Sequence, residues 1–126
     1  MPNANYMLLY ADNPQKSGEF YADLLGQQPV EAGPTFVLFV LPSGLKLGFW
    51  SRHTVEPAAA ALPAVLGGGG EIGLTVESRA EVDALYADWG KKKVRIAQVP
   101  CALDFGYTFV VLDPDGHRLR VFCLEM

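Results

Sequence analysis

Hydrophobic positions along this chain change their period in the same order twice. Residues 5–12 form a short apolar run of strand length, and Asn13-Pro14 then opens a stretch in which Phe20, Tyr21, Leu24 and Leu25 recur at helical spacing. Proline at the first helical position sacrifices no hydrogen bond, Asp12 with Gln15 three residues on resembles a capping box, and Gly26 stops the helix. Strands are expected at 28–32, 35–41 and 45–51, the last two joined as a hairpin through Pro42-Ser43-Gly44. The second pass begins with a strand over 71–77 and a capping box, Ser78-Arg79-Ala80-Glu81. The helix behind it runs to Trp89 with Val82, Leu85 and Trp89 on one face, and strands follow at 93–98, 107–112 and 117–124. The order is βαβββ, twice.

The two passes also share residues. Tyr21-Ala22-Asp23 returns as Tyr86-Ala87-Asp88, an offset of 65 (86 minus 21), and the same offset lays Met7, Leu9 and Ala11 on Ile72, Leu74 and Val76. Leu41-Pro42-Ser43-Gly44 matches Leu112-Asp113-Pro114-Asp115-Gly116 with one residue more. The expectation is an α+β fold of two βαβββ modules, residues 1–55 and 71–126, forming one structural domain with a cleft between the copies. Residues 56–70, with Ala58 to Ala61 and Gly67 to Gly70, read as the link, since consecutive glycines carry maximal backbone freedom.

Composition narrows the function classes. The 126 residues, 50% of them hydrophobic, suffice to bury a core without staples. The net charge is −4, and the one basic cluster, Lys91-Lys92-Lys93, follows Trp89-Gly90, where it complements a helix C-terminus. That distribution argues against nucleic acid or a membrane surface as partner. Cys101 and Cys123 lack a CxxC spacing and read as buried thiols of a reducing compartment. No secretory signal and no spanning apolar run is visible, so the expected location is the cytoplasm.

The duplicated βαβββ order, Phe20-Tyr21 and Leu85-Tyr86 in the two helices, and the closing Asp113-Pro114-Asp115-Gly116-His117 resemble the vicinal oxygen chelate superfamily, which includes glyoxalase I, extradiol dioxygenases and bleomycin- and fosfomycin-resistance proteins. The resemblance covers the whole chain. It implies sheets curled around a cleft (the glyoxalase/bleomycin-resistance fold) and a homodimer. Phe49-Trp50-Ser51, Glu71-Ile72-Gly73, Val82-Asp83 with Trp89, Phe105-Gly106 through Thr108-Phe109, and Arg120-Val121 are similar to phenazine antibiotic resistance proteins, which hold a drug without, as a rule, transforming it.

Metalloenzymes of that superfamily place ligands near the start of the first strand and on the last strand of each module, which here are Tyr6, Gly48, Glu71 and Arg120. Divalent ions want imidazole nitrogen or carboxylate oxygen at three or four such positions. A phenol, a bare backbone, one carboxylate and a permanent cation do not supply them, and Arg120 is expected to pair with Glu71. No metal and no cofactor is expected, and His53 and His117 read as surface and turn residues. GxSxG, HExxH and phosphate-binding glycine motifs are absent from the sequence.

Strand alternation predicts what faces the cleft instead. The first strand offers Tyr6, Leu8 and Tyr10, and the fourth Lys46, Gly48 and Trp50. The fifth offers Glu71, Gly73 and Thr75, and the last Arg118, Arg120 and Phe122. Aromatic faces beside Lys46, Arg118 and Arg120 suit a planar, heteroaromatic and acidic molecule, and Gly48 is expected to leave room for it. Phe105 and Tyr107 flank a glycine in the segment 100–107, which reads either as an aromatic lid or as a plain connection. Trp50 reads as a ligand contact or as part of a dimer interface. The expected function is non-catalytic sequestration of a phenazine-like antibiotic, giving resistance. The alternatives are a divergent lyase, isomerase or dioxygenase with an atypical site, and a structural dimer without ligand.

Overall fold

A computed structural model describes residues 4–56 and 70–125, and the chain divides into two compact units, Met1–Ala64 and Val65–Met126. The expected Ala/Gly-rich link falls, apart from its end residues, outside the described residues.

The first unit contains β1 (Tyr6–Ala11), α1 (Pro14–Leu25), β2 (Glu31–Ala32), β3 (Phe36–Val40) and β4 (Lys46–Ser51), and its sheet has the order β1-β4-β3-β2. The β1–β4 pair is parallel, with Tyr6 opposite Lys46 and Tyr10 opposite Trp50, and the other pairs are antiparallel. A crossover through α1, β2 and β3 lets β1 and β4 run parallel, while the Leu41–Leu45 turn makes the β3–β4 hairpin. The helix cap corrects the sequence reading. Asn13, not Asp12, accepts hydrogen bonds from the Gln15 and Lys16 amides at 3.1 and 3.2 Å, because the capping residue directly precedes Pro14. Asp12 is turned to His53 instead, 2.6 Å from its Nε2.

The second unit repeats the plan with β5 (Glu71–Thr75), α2 (Arg79–Gly90), β6 (Arg95–Leu103), β7 (Gly106–Leu112) and β8 (Arg118–Leu124), in the sheet order β5-β8-β7-β6. Both ends of α2 lie 65 residues beyond those of α1 (79 minus 14, 90 minus 25), so the sequence offset survives in three dimensions. Ser78 caps α2 by accepting from the Glu81 amide at 3.2 Å. The turn before β8 is organised by the buried Asp113, whose Oδ1 accepts from the Asp115 and His117 amides, each at 2.8 Å.

Each helix covers one face of its own sheet. Beneath α1, the buried Tyr21 ring packs 4.4 Å from Phe49 and 6.5 Å from Phe39, with Val37 and Leu47 around them. Beneath α2, Phe109 meets Trp89 edge-on at 5.5 Å and Tyr86 at 5.4 Å, above Val111, Leu119 and Val121. Burying each such side chain contributes about 1.5–3 kcal/mol, so each unit has a core of its own. Cys123 is buried and Cys101 half-buried, both as free thiols. Among the described residues no helix is long and apolar enough to cross a membrane.

Candidate functional site

Because β1 and β4 run in register and β3 continues the same pleat, the sheet face of the first unit turned away from α1 carries Tyr6, Leu8 and Tyr10, then Lys46, Gly48 and Trp50, then Phe36, Leu38 and Val40. Tyr6, Leu8, Phe36 and Trp50 line a pocket of about 340 Å³, within the size range of small-molecule sites. Phe36 and Trp50 meet edge-on with centroids 6.3 Å apart, and the Lys46 ammonium lies 5.1 Å from the centre of the Tyr6 ring. The polar surface here is sparse and the aromatic surface large. Tyr10, in register with Trp50, is exposed and is not among the lining residues.

Gly48 does not leave the room expected of it. A Cβ there would stand 2.7 Å from Leu8 Cδ2 and 3.0 Å from Phe36 Cζ, so these two side chains already close over the glycine. Gly48 thus lets the pocket wall sit low on the sheet. Gly48→Ala should push Leu8 and Phe36 outward and lower stability by about 1 kcal/mol, the low end of overpacking. A reduced melting temperature with retained secondary structure, read by circular dichroism, is the expected result.

The corresponding face of the second unit is polar. Arg120 donates from Nε and Nη2 to the two Glu71 carboxylate oxygens at 2.8 and 3.0 Å, and from Nη1 to Gln98 Oε1 at 3.1 Å and Thr108 Oγ1 at 3.3 Å. Arg118 approaches the same carboxylate at 3.7 Å. Phe105 belongs to this group: it meets Phe122 edge-on at 5.8 Å, with the Arg120 guanidinium 5.9 Å from its ring centre. The hydrogen bond from Arg120 holds Glu71 below its ordinary pKa, reinforced by the charges of both arginines and outweighing the opposing effect of burial.

A group whose folded pKa is depressed stabilises the fold above its unfolded value, and that contribution disappears as pH falls through the folded value. The Glu71 contribution should therefore be present at neutral pH and fade below about pH 4.5, the ordinary value. With the Glu71 side chain 31% exposed, solvent screening keeps its size to about 1 kcal/mol or less. Glu71→Gln should flatten the acid limb of a stability–pH profile by that amount, measured by urea denaturation at stepped pH.

The segment 100–107 is the plain connection of the two expected alternatives, not a lid. Residues up to Leu103 extend β6, and β7 begins at Gly106, so a tight turn joins two antiparallel strands. Strand alternation then separates the two aromatic residues. Tyr107 lies opposite Cys123 on the α2 side of the sheet, where its hydroxyl donates to Asp83 at 2.8 Å and Arg79 stacks on its ring at 4.7 Å. Tyr107 is therefore a brace for α2 and does not join Phe105 beside Arg120.

The positions at which a metal would be held do not fit one. Both Glu71 oxygens are taken by Arg120, Arg120 is a cation, Gly48 is covered, and Tyr6 is a phenol 52% exposed. Asp113, Asp115 and His117 bring one ligand atom each within 4.8 Å of the others, with Asp113 committed to the amides of its own turn.

Two four-stranded mixed sheets, each under one helix and arranged as β1-β4-β3-β2, define a paired βαβββ protein, and relatives bear this out. The family model of the Glyoxalase/Bleomycin resistance protein/Dioxygenase superfamily matches residues 3–121, and the chain belongs to that superfamily. It is 32% identical over 124 residues to Phenazine antibiotic resistance protein EhpR of Enterobacter agglomerans, with 96% of this chain and 92% of that protein covered. A protein of Agrobacterium tumefaciens solved by NMR in solution is 49% identical over the full length of both chains, with a TM-score of 0.84. A glyoxalase-related enzyme from Fulvimarina pelagi superposes with a TM-score of 0.82 at 19% identity, over 98% of this chain and 88% of that one, a likeness of fold alone.

Proposed function

We propose that this chain binds and sequesters a planar aromatic small molecule of the phenazine type without converting it, as a cytoplasmic homodimer that gives resistance. The pocket walled by Tyr6, Phe36 and Trp50 carries the reading, because flat aromatic faces with few polar atoms recognise a flat ring system by stacking. The similarity to a phenazine antibiotic resistance protein supports the ligand class. The chemistry of Glu71 and Arg120, which neutralise each other, supports holding over converting.

Tryptophan fluorescence tests it directly. The chain has two tryptophans; Trp89 is buried on the face of α2 that packs on its sheet, and Trp50 lines the pocket. Titration with phenazine should quench the Trp50 emission saturably, and the phenazine recovered afterwards should be chemically unchanged. Absence of quenching across a panel of planar aromatics, or turnover of the ligand, would overturn the proposal.

A further inference from the structure

We infer that the ligand carries an anionic substituent, and that Lys46, rather than either arginine of the second unit, recognises it; this rests on the phenazine-type reading above and narrows its ligand class to acidic planar heteroaromatics. Three cations come into question on the two sheet faces: Lys46, Arg118 and Arg120. Arg120 is spent, since its donors meet both Glu71 oxygens, Gln98 and Thr108, and its side chain is only 17% exposed. Arg118 leans on the same carboxylate, which draws off part of its field.

Lys46 differs on every count. Among the described residues its ammonium has no carboxylate partner and lies instead 5.1 Å from the centre of the Tyr6 ring. Register explains the placement: Lys46 stands opposite Tyr6 on the parallel β1–β4 pair, so the ammonium rides at the Tyr6 end of the pocket wall while Trp50 and Phe36 form the other end. Glu31, on the edge strand β2 and in register with Leu38, is the carboxylate of that same sheet face. A flexible four-carbon stem lets the ammonium follow a substituent at the rim while the rings stack behind it. Beside a wall that is otherwise apolar, a charge-assisted hydrogen bond is stronger than it would be in open water. The pocket thus has one stacking end and one cationic end, and a molecule with a flat ring system and a carboxylate at one edge complements both.

The test compares phenazine with phenazine-2-carboxylate by fluorescence titration at neutral pH. The carboxylate should bind the parent protein about tenfold more tightly, the size of one charged hydrogen bond at a partly wet site, and the ratio should shrink as salt is raised. Lys46→Met, which keeps the stem and removes the charge, should bring the ratio near one, while Lys46→Arg should retain it. A tenfold ratio that survives in Lys46→Met, or one that vanishes in Arg118→Gln, overturns the assignment, as does a parent protein that binds both compounds equally. Failure of both compounds to bind is a different result: it removes the phenazine-type reading itself, and this inference with it.

Discussion

Gly106→Ala is expected to destabilise the protein by at least about 3 kcal/mol, enough to lower the melting temperature by roughly 10 °C. Gly106 adopts φ +154, and a Cβ placed there would fall 1.9 Å from the carbonyl oxygen of Cys123 and 3.1 Å from the amide of Glu125. Both neighbours are backbone at the end of β8, so no rotamer change can relieve the overlap. The β7–β8 ladder would have to open at its Gly106–Leu124 end, breaking the hydrogen bond by which Glu125 N–H donates to Phe105 O at 2.9 Å. Gly90→Ala is the matched control, because the Gly90 position has open space around it at the end of α2. Thermal denaturation followed by circular dichroism decides the matter: equal melting temperatures for the two variants would mean that β7 and β8 do not approach as closely as described.

The second large effect is on binding. Trp50→Ala should raise the dissociation constant for a planar aromatic ligand roughly thirtyfold, about 2 kcal/mol, as at an aromatic hot spot. Trp50 supplies the largest flat surface of the pocket and is braced edge-on by Phe36, so its orientation is set before any ligand arrives. Trp50→Phe, which preserves a flat ring in the same place, should lose far less. Since Trp50→Ala also removes the reporter, the comparison needs calorimetry. Near-parental affinity in Trp50→Ala would place the ligand somewhere other than this pocket.

Much of this molecule was legible from its residues, and the failures have identifiable causes. Alternation along β1, β4, β5 and β8 separated Leu47, Phe49, Ile72, Leu119 and Val121, which are buried, from Tyr6, Lys46, Trp50, Glu71 and Arg120 on the opposite faces. The pairing of Arg120 with Glu71, expected from the metal-ligand positions that the superfamily resemblance implies, is present. Phe36 was missed because alternation was not carried into β3, although Val37 and Phe39 mark the core side there as clearly as anywhere. Gln98 is less accessible to such reasoning: β6 changes register on both sides of it, and each irregularity resets the alternation. Pro100 lies within the same irregular stretch. It is tolerated because β6 is an edge strand, where a missing amide donor faces no neighbour. Tyr107 was grouped with Phe105 by closeness in sequence, which a strand converts into opposite faces.

The carboxylate–guanidinium clasp of Glu71 and Arg120 also bears on how this scaffold can change. Exchange Glu71 alone for a histidine and the guanidinium loses its counter-charge while still repelling any incoming cation. Exchange Arg120 alone and Gln98 and Thr108 lose their shared donor, while the Glu71 carboxylate keeps only Arg118, at 3.7 Å. Each half of the clasp thus penalises loss of the other, so joint replacement of Glu71 and Arg120 should be tolerated better than either single exchange.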